Sequence, residues 1–116
     1  VFDWLLLRKM TGNHSEINHW IEDLSRGGRL SAGLNWYRAN ELHMMFGDFP
    51  NVVVPVLGVW GSGDIFLSEA QMLNSARYVD APWRYERIGD AGHWIPLDAP
   101  ERLNKILLDF LSRTVQ

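Results

Sequence analysis

Two glycine-rich stretches carry the residue types that acid–base chemistry needs. Gly61-Ser62-Gly63-Asp64 offers a carboxylate, and Gly89-Asp90-Ala91-Gly92-His93-Trp94 offers an imidazole. A carboxylate that accepts a histidine's ring N–H fixes the tautomer and supports the protonated ring, so such a pair is a general base in search of a substrate. Each residue also has a plainer role open to it. Aspartate in a glycine turn is commonly a turn former or helix cap, and the histidine has the alternatives of capping its loop or hydrogen-bonding in a core.

Two adjacent parallel strands would bring the pair together. Residues 52–60, VVVPVLGVW, form a continuous apolar run rich in β-branched residues and interrupted by Pro55 and Gly58, which predicts a strand buried on both faces. Asp64 then lies just beyond the carboxyl end of that strand, where open α/β sheets place their ligand sites. A helix over about 67–79 follows, with Leu67, Ala70 and Leu73 facing inward. Residues 83–88 alternate large and charged side chains as a second strand would, and the loop 89–93 leads away from it. The last helix starts near Pro100, where Asp98 and Glu101 have capping-box spacing; Leu103, Ile106, Leu107, Phe110 and Leu111 form its apolar face.

The chain is of different character before Gly47. Ile17, Trp20, Ile21 and Leu24 form a stripe that predicts a helix over 14–26, introduced by Asn13 and Glu16 at capping-box spacing and ended by Gly27-Gly28. Leu30, Leu34, Tyr37, Met44 and Met45 approximate a second stripe over 31–46, and residues 2–10 suggest a third helix. The expected division is therefore 1–47, helical, and 48–116, α/β. Strand, helix, strand, helix is the pattern of a parallel crossover, but two parallel strands alone leave both edges unpaired. A homodimer or higher oligomer completing the sheet is the expected remedy.

PVLGVWGSGDIFL from Pro55 and AGHWIPLDAPERLNKILLDFL from Ala91 resemble the C-terminal end of the α/β-hydrolase fold, most like the epoxide hydrolases and the haloalkane or haloacetate dehalogenases. The resemblance implies that Asp64 is the acid and His93 the base of a catalytic triad, with Trp94 beside the base. Leu34-Asn35-Trp36-Tyr37-Arg38-Ala39-Asn40 is similar to the end of the helical cap in the soluble epoxide hydrolases. There the tyrosine donates a hydrogen bond to the epoxide oxygen, which makes Tyr37, with Trp36, a candidate substrate-binding residue. Periodicity alone reads Tyr37 as a core aromatic. On this resemblance 1–47 is a cap-like segment and 48–116 the C-terminal part of the core.

The family's nucleophile elbow, its HGxP segment and one cap tyrosine have no counterpart in these residues. Trp60-Gly61-Ser62-Gly63 lacks the first glycine of G-x-S-x-G, so Ser62 is not the expected nucleophile. Together with Val1 in first place, this suggests a processed chain or a piece of something longer. The expected activity is hydrolysis of small apolar esters or epoxides. The alternative is a non-catalytic remnant held together by self-association or a complementary chain.

Composition narrows the field further. With 47% apolar and 22% charged residues the chain has the make-up of a globular domain, not a disordered one. Eleven Lys and Arg against 14 Asp and Glu, net −3, argue against nucleic acid or an anionic membrane as partner. No apolar run approaches the ~20 residues of a bilayer span. Zero cysteines exclude disulfides and thiolate metal sites, a composition compatible with a reducing cytoplasm, the expected location. His14, His19 and His43 lack metal-ligand spacing, and Gly58, Gly61 and Gly63 do not follow a dinucleotide fingerprint. The expected partner is a small-molecule substrate, with no cofactor or metal.

Overall fold

The computed structural model describes residues 4–114, without the side chains of 42–46 and 114. It divides into two compact units, Val1–Asp48 and Phe49–Gln116.

The first unit is helical: α1 (Leu5–Met10), α2 (Ile17–Ser25) and α3 (Arg29–Phe46). Gly12 and Asn13, both at positive φ, turn the chain out of α1, and the Arg8 guanidinium ties α1 to Asn18 of α2 at 2.8 Å. The Asn13/Glu16 capping box does not form. Asn13 is spent on the turn, α2 starts only at Ile17, and His14 Nδ1 accepts the Glu16 N–H at 3.1 Å instead. Ile17, 3% exposed, is the buried residue of α2. In α3, Leu34 and Tyr37 of the expected face are exposed and Leu30 is half-buried, so the described side chains of that face do not form a core. Phe2 lies outside the described residues, as do the side chains of His43, Met44 and Met45.

The second unit is built on β1 (Val56–Gly61) and β2 (Trp83–Ile88), paired in parallel with Val56 opposite Trp83 and Gly61 opposite Ile88. The crossover between them holds α4 (Glu69–Asn74) and a 3-10 turn, Ser75–Tyr78; after β2 come a short helix α5 (Ile95–Asp98) and then α6 (Pro100–Thr114). Ser68 opens α4 with a full capping box, its hydroxyl taking the Gln71 N–H while the Gln71 side chain takes the Ser68 N–H. Such caps are worth about 1 kcal/mol.

The strand is shorter than the apolar run predicts. Val52 makes one bridge to Val79, Val53 and Val54 are 75% and 59% exposed, and the ladder begins only after Pro55, which has no N–H to give it. Nor is β1 buried on both faces: Gly58, Trp60 and Gly61 are buried, and Val56, Leu57 and Val59 only half so. Two strands and the helices beside them do not supply enough surface to cover both faces. The core lies at the carboxyl end of the sheet, around Trp60, Ile88 and Ala91. Among the described residues no helix is long and apolar enough to cross a membrane.

Candidate active site

The loops leaving β1 and β2 are stitched together. Ser62 N–H donates to the Ile88 carbonyl and Gly63 N–H to the Ala91 carbonyl, each at 2.9 Å, and the Ser62 hydroxyl donates to the Gly89 carbonyl. Gly61 has to be glycine, because a Cβ there would lie 2.5 Å from the Ala91 carbonyl oxygen and press on that of Gly92. The motif Gly61-Ser62-Gly63 thus brings two loop backbones into contact, and Ser62 is occupied in that task.

This contact places Asp64 against His93. Asp64 Oδ1 accepts the Phe66 and Leu67 N–H groups at 2.8 and 3.0 Å, and Oδ2 lies 2.9 Å from His93 Nδ1. The Asp64 side chain is 7% exposed. Burial pushes its carboxyl upward, but the hydrogen bonds from His93, Leu67 and Phe66 outweigh that and hold it below the ordinary value. An ionised carboxylate only accepts, so Nδ1 carries the proton and donates. Nε2 is left as the ring's acceptor, and among the described residues it has no hydrogen-bond partner. Phe66 and Trp94 pack on the imidazole with ring centres 4.9 and 5.4 Å away and meet each other edge to face at 5.7 Å. An oriented imidazole with an apolar collar can take a proton from a water placed at Nε2.

Outside the loops, polar pairs hold the sheet to its helices. Arg84 of β2 forks between Glu86, at 2.7 Å, and Asp109 of α6, at 2.5 Å; Asp109 also takes Arg113 at 2.9 Å. The Arg84 hydrogen bond holds the Asp109 carboxyl below its usual value. Tyr85 donates its hydroxyl to Glu69 of α4 at 2.7 Å, and burial, followed by that carboxylate, pushes the phenol up to about 12. Trp60 donates its indole N–H to the Leu67 carbonyl at 2.9 Å, fixing the segment just beyond Asp64.

Of the residues singled out in the sequence, Asp64, His93 and Trp94 meet in the second unit. Trp36 and Tyr37 belong to the first, on α3, where their rings pack edge to face at 5.1 Å. Phe66 was not foreseen; its signal is its place two residues after Asp64, where an Asx turn delivers a backbone N–H to the carboxylate and fixes the side chain that follows. Asp98 makes another contact that was not foreseen: its Oδ2 accepts the Gly92 N–H at 2.7 Å. His14 stacks on Trp20, and His19 lies 3.9 Å from Asp23. No three His, Cys, Asp or Glu side chains converge on a metal position among the described residues.

The chain is similar to known hydrolases. It is 40% identical to epoxide hydrolase 3 of Xenopus tropicalis over 101 residues, 84% of this chain and 26% of that protein. With epoxide hydrolase A of Mycobacterium tuberculosis it shares 30% over 103 residues, 86% of this chain and 32% of the relative. An AB hydrolase superfamily protein of Bacillus subtilis is 28% identical over 97 residues, 84% of this chain and 34% of its own length. The chain thus spans about a quarter to a third of these relatives, and no family model matches it. By sequence the chain is a relative of the epoxide hydrolases and of an AB hydrolase superfamily protein, and its mixed α/β fold with two parallel strands agrees with that kinship.

Proposed function

We propose that this chain supplies the base of a hydrolase acting on small apolar esters or epoxides. In this reading His93 Nε2 takes a proton from the attacking water and Asp64 orients and stabilises the imidazolium that forms. Trp94 borders the substrate. The observation that carries the reading is the 2.9 Å contact between Asp64 Oδ2 and His93 Nδ1, with the other carboxylate oxygen already bound by two backbone N–H groups.

The cap-like role of the first unit, with Tyr37 as donor to the developing alkoxide and Trp36 beside it, rests on the similarity of residues 34–40 to the cap of soluble epoxide hydrolases. A nucleophile would come from a complementary chain or from sequence beyond these 116 residues. Without one, water activated by His93 attacks an activated ester directly, at a modest rate. The test is hydrolysis of p-nitrophenyl esters and styrene oxide by the purified chain beside His93→Ala and Asp64→Ala. Both variants should lose turnover, and turnover retained in both would overturn the assignment.

One observation favours a second reading. Val53, Val54, Leu108 and Leu111 are all more than half exposed, a large apolar surface for a small chain. It suits a non-catalytic remnant stabilised by self-association or by a complementary chain. A dimer in solution that is inert to both substrate classes would support that reading over the first.

A further inference from the structure

We infer that Asp98 is a positioning residue for the base. The inference rests on the reading of His93 as that base, but its test does not need turnover. His93 projects from a loop whose backbone is held from two directions. On one side the carbonyls of Ala91 and Gly92 lie against Gly61, with the Ala91 carbonyl accepting the Gly63 N–H. On the other, Asp98 Oδ2 accepts the N–H of Gly92, the residue immediately before the histidine, at 2.7 Å.

The route from Gly92 to Asp98 makes this contact possible. After His93 the chain turns at once into α5, with the Leu97 and Asp98 N–H groups both donating to the Trp94 carbonyl, at 2.8 and 3.0 Å. That single turn reverses the chain and sends the Asp98 carboxylate back to where the loop began. Gly92 is itself fitted to the approach, since a Cβ there would lie 3.1 Å from Asp98 Oδ2. The closed loop carries His93 and Trp94, so both the imidazole and half of its aromatic collar hang from a backbone fixed at Gly92. A charge-assisted hydrogen bond to a backbone N–H is among the stronger kinds. Its loss would let the imidazole swing away from Asp64 Oδ2 and from Phe66 while leaving the strands in place.

The test is NMR on the whole chain as wild type, Asp98→Ala and Asp98→Asn, with hydrolysis followed in parallel. The expected result for Asp98→Ala is Gly92 amide exchange about tenfold faster, the equivalent of one hydrogen bond, and loss of at least half the NOE intensity between the His93 and Phe66 rings. Asp98→Asn keeps an acceptor oxygen and should hold both within about threefold. A role confined to starting α6 would lower the melting temperature and leave the ring NOEs intact in Asp98→Ala, which would overturn the inference. Should Asp98→Ala not fold, Asp98→Asn decides: retained NOEs support the inference, and their loss in a folded chain overturns it. If no variant or wild type hydrolyses any substrate while exchange and NOEs shift as described, the hydrolase reading falls and the positioning of His93 by Asp98 stands.

Discussion

The two ends of the same short sheet are built on opposite terms. At the carboxyl end, Trp60, Ile88 and Ala91 are buried, the loops exchange backbone hydrogen bonds, and glycine permits contact closer than any side chain would. At the amino end, Val52, Val53 and Val54 are exposed, one isolated bridge joins Val52 to Val79, and an open hollow of about 450 Å³ lies between Val52, Val56, Tyr78 and Trp83. Both ends belong to one run of apolar residues. What separates them is the presence of neighbours, since the hydrophobicity along the run is alike. The ordered end is the one that holds Asp64 and His93, so the site geometry depends on the loop stitching more than on a large core.

That contrast is broken most directly at Gly61. Gly61→Ala forces a Cβ into the carbonyls of Ala91 and Gly92, which are backbone and cannot rotate aside. Overpacking of this kind costs about 1–3 kcal/mol, and the upper end is expected here. Chemical denaturation should show the loss, and the ring NOEs between His93 and Phe66 should vanish with it. A variant of unchanged stability with those NOEs intact would show that the stitching does not set the site.

A middle-sized effect is expected where α4 is tied to β2. Tyr85→Phe removes the hydroxyl that Glu69 accepts, at a cost of about 1 kcal/mol. In the wild type the Tyr85 phenol is raised from 10.0 to about 12. Because the folded value is the higher, this contribution to stability is complete below pH 10 and disappears as pH rises through about 12. Phenolate absorbance during an alkaline titration should show a late step near pH 12, and Tyr85→Phe should remove it. Asp64 behaves in the reverse sense. Its value is lowered from 3.8, so its contribution is complete above about 3.8 and is lost as pH falls through the lower folded value.

The sequence conveys the elements of the second unit well and their limits less well. β-branched density locates β1, yet whether Val53 and Val54 join it depends on neighbours that a local pattern does not reveal. The capping box at Ser68 is as legible as the one expected at Asn13; only the first forms, because Asn13 is consumed by a left-handed turn. Asp64 and His93 are legible because each lies in a glycine-rich loop that follows a strand and because both loops resemble those of a known family. Phe66 and Asp98 are not, since their contacts come from chain reversals, an Asx turn and a one-turn helix, too short to leave a period.

The smallest expected effect probes the open end. Val53→Lys replaces a side chain that is 75% exposed and contributes little to the folded monomer, so stability measured in dilute solution should change by no more than about 0.5 kcal/mol. If the exposed valines instead meet another copy of the chain or a complementary one, the lysine introduces a charge into that contact. Sedimentation velocity over a hundredfold range of concentration separates the two cases. A wild type that associates and a Val53→Lys variant that stays monomeric at equal stability would show that the amino end is completed from outside the chain. A loss above about 1 kcal/mol in the monomer would mean that Val53 is already packed, and the difference between the two ends of the sheet would then be one of degree.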